Sequence, residues 1–223
     1  MKTVAVLHTT PVTIQGLAPQ FARELPGVRQ TNFLDDTMLP EINAAGEITP
    51  AVRCRFYALA AAAAASRPDA ILCACSSVGG LLEEARGIVS VPALRIDDPM
   101  AREAVARGTR IAVSATLAST LGPTMDLIRR RAEEAGKEIS LTPFLVEGAG
   151  ALLAQGRMEE YRQAVAGRIS EALQGSDVVV LAQASMADAA ALLPDAASLP
   201  ILTSPRSGVA ALRSVLGLEE PAK

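Results

Sequence analysis

The feature that most constrains this chain is an internal repeat. Placing "AILCACSSVGG" (70–80) over "VVVLAQASMAD" (178–188) sets Cys75 above Gln183 at an offset of 108 residues. "VPALRI" over "LPILTS" sets Pro92 above Pro200 at the same offset, and "VAVLHTT" over "IAVSATL" needs 107. Three segments agreeing to within one residue imply two similar halves. In each half, short β-branched runs alternate with Ala- and Leu-rich stretches of helical character. Strands are expected at 3–8, 28–34, 69–75 and 91–96, and again at 110–116, 139–146, 177–183 and 199–204. Helices are expected at 13–27, 50–66, 77–87, 120–136 and 158–175, with a short helix after 183 and a last one at 207–217. Strands alternating with helices imply parallel sheets covered on both faces. The predicted class is therefore α/β, with two pseudo-symmetric domains, each a short parallel sheet flanked by helices, and the active site in the cleft between them. The expected domains are 1–97, joined by the C-terminal helix 205–223, and 98–204, with the boundary in "RIDDPMAREAVARG".

Composition narrows the function classes. Half of the 223 residues are hydrophobic, which is enough for a sizeable core, and the net charge of −3 offers no attraction to nucleic acid or to a membrane surface. "MKTVAVLHTT" enters a strand directly, without the apolar region of a signal peptide, and "ALAAAAAAS" is too short to span a bilayer. A cytoplasmic protein with free thiols is expected. Its three cysteines are an odd number; Cys54 and Cys73 read as core, and Cys73 and Cys75 are taken to face opposite sides of one strand, against a disulfide.

In parallel sheets, ligands bind where strands end and helices begin. Four such loops, 7–13, 75–80, 114–120 and 182–188, are rich in Ser and Thr and lack Lys and Arg. Cys75 stands at the start of a predicted helix, where orphan backbone N–H groups favour an anion, so it is a candidate thiolate base or nucleophile. Ser76 and Ser77 would cap that helix or donate to a carboxylate. His8, the only histidine, ends the first strand beside Thr9 and Thr10 and reads either as an acid or substrate donor, or as a histidine satisfied inside the fold. Arg95 and Arg206, near the ends of matching strands, read either as cleft residues or as solvated surface charges. A GxGxxG or P-loop phosphate cradle, a zinc ligand set at usual spacing and a GxSxG elbow are not found, whereas a Cys75–His8 dyad stays open.

"CACSSVGG", "VSATLASTLGPT" and "VVVLAQASM" together resemble the Asp/Glu/hydantoin racemase superfamily, which also includes maleate isomerase and arylmalonate decarboxylase. The resemblance covers nearly the whole chain and implies two pseudo-symmetric α/β domains working without metal or organic cofactor. It implies a small carboxylate or hydantoin-like substrate, no nucleic-acid or membrane partner, and leaves homo-oligomer formation open. In such racemases one cysteine from each domain flanks the substrate carbon. Carried over, Cys75 is the first cysteine, Ser76 and Ser77 hold the carboxylate, and Thr10, Thr116 and Ser119 or Thr120 lie in substrate loops, as do His8, Thr9, Ala184 and Ser185. The second cysteine is replaced: where members read like "LGCAG" or "LGCTH", this chain has "LAQAS", so Gln183 stands there. An amide has no proton to give near neutral pH. The resemblance therefore implies racemisation or isomerisation by one thiol, with a one-cysteine decarboxylase or a carboxylate-binding protein as the other readings.

Overall fold

The structure is a computed structural model that describes residues 1–193 and 199–218. Its chain divides into two compact units: Met1–Asp98 with the C-terminal segment from Pro205, and Pro99–Ser204. Each contains a four-stranded parallel sheet.

In the first unit β1 (Thr3–His8), β2 (Arg29–Leu34), β3 (Ala70–Cys73) and β4 (Ala93–Arg95) lie in the order β2-β1-β3-β4. The pleat's period of two sorts their side chains. Val4, Val6 and Leu72 face one side, packing on Leu17 and Phe21 of α1 (Val12–Glu24) and on Val209, Leu212 and Leu216 of α9 (Ser204–Leu216). Ala5, Leu7, Ile71 and Cys73 face the other, against Met38 and Ile42 of α2 (Met38–Ala45) and Val52 and Phe56 of α3 (Pro50–Ala65). Helix α3 starts cleanly because Thr49 accepts the Val52 N–H at 3.1 Å and Pro50 occupies the first turn, where its missing N–H costs nothing. Its alanine run then has the highest helix propensity available. The turns after β3 differ from the expected continuous helix. They form a 3₁₀ turn at Ser76–Val78, a short α4 (Gly79–Glu84) and a second 3₁₀ turn at Ala85–Gly87. Adjacent glycines propagate a helix poorly.

The second unit repeats the plan with β5 (Arg110–Ala115), β6 (Ser140–Leu145), β7 (Val178–Leu181) and β8 (Ile201–Thr203), ordered β6-β5-β7-β8. One face packs on α5 (Asp98–Arg107) and α6 (Ala118–Glu134), the other on α8 (Met158–Leu173), with α7 (Ala149–Ala154) beside it. Leu7 pairs with Cys73 in β1–β3, and Ser114 with Leu181 in β5–β7, so the repeat found in the sequence is a repeat of strand register. Helices α3 and α8 are related by the same 108 residues at both ends. The segment expected to hold the boundary is itself the helix α5, and α2 and α7 have no counterpart in the sequence expectation.

The sheets also share a device at their opposite ends. Asp69 accepts from the Thr3 backbone N–H at 2.8 Å and pairs with Lys2, tying β3 to β1. Asp177, again 108 residues on, accepts from the backbone N–H groups of Thr109 and Arg110 at 3.0 and 2.9 Å and from the Arg110 guanidinium, tying β7 to β5. The hydrogen bonds from Arg110 and Thr109 hold the Asp177 carboxyl well below the usual range. Among the described residues no helix is long and apolar enough to cross a membrane.

Candidate active site

Chain geometry explains the cysteine at the strand tip. β3 ends at Cys73, the Ala74 N–H still donates to the Leu7 carbonyl at 2.9 Å, and Cys75 keeps an extended backbone (φ −132°, ψ 117°) before the chain turns at Ser76. Gln183 does the same after β7, with φ −126° and ψ 138° before a 3₁₀ segment at Ala184–Leu192. The two residues are conformational equivalents. Continuing each register by two residues sets Thr9 beside Cys75 and Thr116 beside Gln183.

Hydrogen bonds confirm the second pairing. The Thr116 backbone N–H donates to Gln183 Oε1 at 2.6 Å and its hydroxyl donates to the same oxygen at 2.8 Å. In the first unit the shorter cysteine caps nothing, and the buried Thr9 hydroxyl has no partner among the described residues. Cys75 is partly buried against the α3-side core, of which the fully buried Cys73 is a part. This corrects the expectation of opposite faces: residues two apart on a strand share a face. The two thiols remain free, and Cys73 Sγ donates to the Cys75 carbonyl at 3.5 Å. Burial pushes the Cys73 thiol up, so it stays protonated. Cys54, expected in the core, is exposed on α3.

Ser76 and Ser77 are buried at the turn after Cys75, and Thr10 is half-buried at the end of β1. In the second unit Thr116 and Thr120 are buried, while Ser119, Ala184 and Ser185 are half-buried. His8 is fully buried, with Nδ1 at 2.7 Å from the Thr13 hydroxyl and Nε2 at 2.9 Å from Asn32 Oδ1. Both ring nitrogens are thus taken up inside the unit by side chains. Burial lowers the His8 pKa, with the Asn32 hydrogen bond partly opposing it, so the ring is neutral near pH 7. A folded-state pKa below that of the unfolded chain means that the unfolded chain binds the proton more readily. Stability is then full above about pH 6.5 and lost as pH falls below it, by at most about 1.4 kcal/mol per pH unit for this one proton. Urea unfolding should show this loss in the wild type and a flatter profile for His8→Gln. An unchanged slope in His8→Gln would assign the loss to other groups.

Arg95 is neither a cleft residue nor a surface charge but a structural one. It is buried, and its Nε and Nη2 donate to the two oxygens of buried Asp97 at 2.9 and 2.8 Å, with Glu83 Oε2 3.8 Å from Nη1. Burial opposes its charge, and the carboxylates of Asp97 and Glu83 outweigh that and raise its pKa. The guanidinium lies against Gly79, where a Cβ would sit 2.6 Å from Nε, so the ion pair supports the turn that carries Cys75, Ser76 and Ser77. Arg206, by contrast, is an exposed charge whose Nε donates to Glu24 at 3.2 Å.

The family model for Asp/Glu/hydantoin racemase matches residues 8–212. The chain belongs to the Asp/Glu/hydantoin racemase family. Among solved structures, the aspartate racemase of Picrophilus torridus superposes with a TM-score of 0.75 at 14% identity, covering 99% of this chain and 96% of that one. The allantoin racemase of Klebsiella pneumoniae gives 0.69 at 20% identity, covering 99% and 91%. A liganded mutant of arylmalonate decarboxylase gives 0.63 at 15% identity, covering 100% and 96%. These likenesses show the shared two-sheet α/β fold. No curated protein sequence matches. Family membership supports racemase-type activity on small carboxylates.

Proposed function

We propose that this family member is a cofactor-independent enzyme that works at the carbon next to a small carboxylate or within a hydantoin-like ring, with Cys75 as its thiolate base or nucleophile. One observation carries the reading. Cys75 occupies the strand-end position of the first unit beside a buried Thr9 hydroxyl that has no partner among the described residues, a donor suited to a thiolate or to a substrate oxygen. Ser76 and Ser77 follow it at the turn, where hydroxyl and backbone donors would hold the carboxylate and the negative charge that develops on it. Cys75 removes a proton from carbon, the electron pair moves into the carboxyl group, and reprotonation of the carbon completes a turnover.

The equivalent repeat position sets the stereochemical consequence. Gln183 is an amide that neither accepts nor supplies a proton near neutral pH, so the proton on Cys75 is the one available for return. Exchange of the carbon-bound hydrogen with solvent should therefore outrun inversion. The second reading, a decarboxylase or maleate-type isomerase, rests on the same single thiol. Proton NMR in D₂O with aspartate, glutamate, a substituted hydantoin, maleate and an aryl malonate tests both. Loss of an α-proton signal supports the first, and carbon dioxide release or geometric isomerisation the second. Inertness toward the whole panel would contradict both and favour a carboxylate-binding protein.

A further inference from the structure

Thr116 carries two hydrogen-bond donors at the end of β5, and Gln183 takes both. The backbone N–H and the hydroxyl converge on one oxygen, Gln183 Oε1, at 2.6 and 2.8 Å. A backbone N–H only donates, so the amide atom facing it is the oxygen, and no other contact is needed to orient the Gln183 amide. Two donors aimed at one oxygen at this range are an arrangement that holds a carboxylate or an oxyanion. Here the oxygen belongs to the protein. Beyond Cβ a glutamine side chain is acetamide, the neutral counterpart of acetate with nearly the same shape. Each donor has a single proton, so Thr116 has none left for a ligand while Gln183 stays in place. Ser185, the next hydroxyl along that loop, is likewise engaged by the protein, with Oγ 2.8 Å from the hydroxyl of buried Tyr161. The first unit differs. Thr9 stands opposite Cys75 as Thr116 stands opposite Gln183, but a thiol ends two atoms short of a glutamine's oxygen, and the buried Thr9 hydroxyl has no partner among the described residues.

We propose that Gln183 is a specificity-determining residue that acts as an internal competitor: its amide oxygen occupies a two-donor carboxylate cradle on Thr116 and closes that cradle to ligands. A ligand carboxylate gains the Thr116 donors only by displacing the glutamine side chain. Gln183 is half-buried, so its amide lies within reach of solvent and can be displaced or replaced there. The cradle is a feature of the second unit alone and holds whether or not Cys75 performs the proposed chemistry.

Acetate and acetamide test this by replacing the piece of side chain that Gln183→Ala removes. The readout is the Thr116 backbone amide signal in proton–nitrogen NMR of the full chain. In Gln183→Ala, acetate should shift that signal with a Kd about tenfold or more below that in the wild type, where it must first displace two hydrogen bonds. Acetate should also bind about tenfold more tightly than acetamide, because hydrogen bonds to an ionised acceptor are roughly twice as strong. Adding Thr116→Val should weaken acetate binding severalfold through loss of the hydroxyl donor. Gln183→Met keeps the bulk without the oxygen. It should speed hydrogen exchange at the Thr116 N–H about tenfold and leave acetate binding as weak as in the wild type. Gln183→Ser takes the place of Gln183→Ala if the latter does not fold. Equal acetate affinity in the wild type and Gln183→Ala would overturn the assignment. So would acetamide binding as tightly as acetate, or unchanged Thr116 exchange in Gln183→Met.

Discussion

Cys75→Ser is expected to abolish turnover of whichever panel compound reacts, by about three orders of magnitude, within the range that general acid–base groups supply. Serine preserves the size of the side chain and the extended backbone at this position, but its hydroxyl does not ionise near neutral pH. The other cysteines provide the comparison. Cys54 is exposed on α3, and Cys54→Ser should keep full activity. Cys73→Ser places a hydroxyl in a fully apolar layer of the sheet and should cost stability while leaving turnover within severalfold. Equal losses in Cys73→Ser and Cys75→Ser would point to a disturbed strand and not to a reactive thiol.

The largest stability effect is expected at Asp97. Its carboxylate is the bidentate partner of a guanidinium that is almost wholly removed from water. Asp97→Ala leaves that charge buried beside Glu83 alone, at 3.8 Å, and should cost about 3–5 kcal/mol in urea unfolding. Removing both charges together, as Arg95→Met with Asp97→Leu, should restore most of the loss, because the penalty is that of an unpaired ion. Because the pair underpins the turn at Gly79, Asp97→Ala should also make Cys75 alkylate faster in the folded protein. A loss below about 1 kcal/mol would mean that water reaches Arg95 and that the pair is a surface bridge.

Much of this architecture was legible because a register repeat writes itself into sequence. The pairs Cys75 with Gln183 and Pro92 with Pro200 show as an offset in the sequence alone, and Asp69 with Asp177 carries the same offset. Helices α2 and α7 were not legible: one is eight residues long with a proline, the other six, and neither completes enough turns to show a period. The candidate loops were found from their hydroxyl content, but their internal wiring was not. Whether Arg95 is a surface charge or a buried ion depends on Asp97 and Gly79 meeting it in space, and no spacing rule announces that. His8 read equally well as a catalytic group or a structural one. The decision lay with Thr13 and Asn32, the latter on a neighbouring strand. Tyr161 stands inside the expected helix 158–175, and no spacing in the sequence announces that its hydroxyl lies 2.8 Å from Ser185 Oγ.

In the proposed mechanism one thiol, Cys75, does the proton chemistry, and its repeat partner Gln183 cannot. The most direct measurement starts from a single enantiomer of a reactive panel compound in D₂O and follows deuterium entry at the carbon by NMR alongside inversion by chiral chromatography. Deuterium entry well ahead of inversion, with both lost in Cys75→Ser, is the predicted result. Inversion keeping pace with deuterium entry would show a second proton donor acting on the opposite face, and would contradict the account.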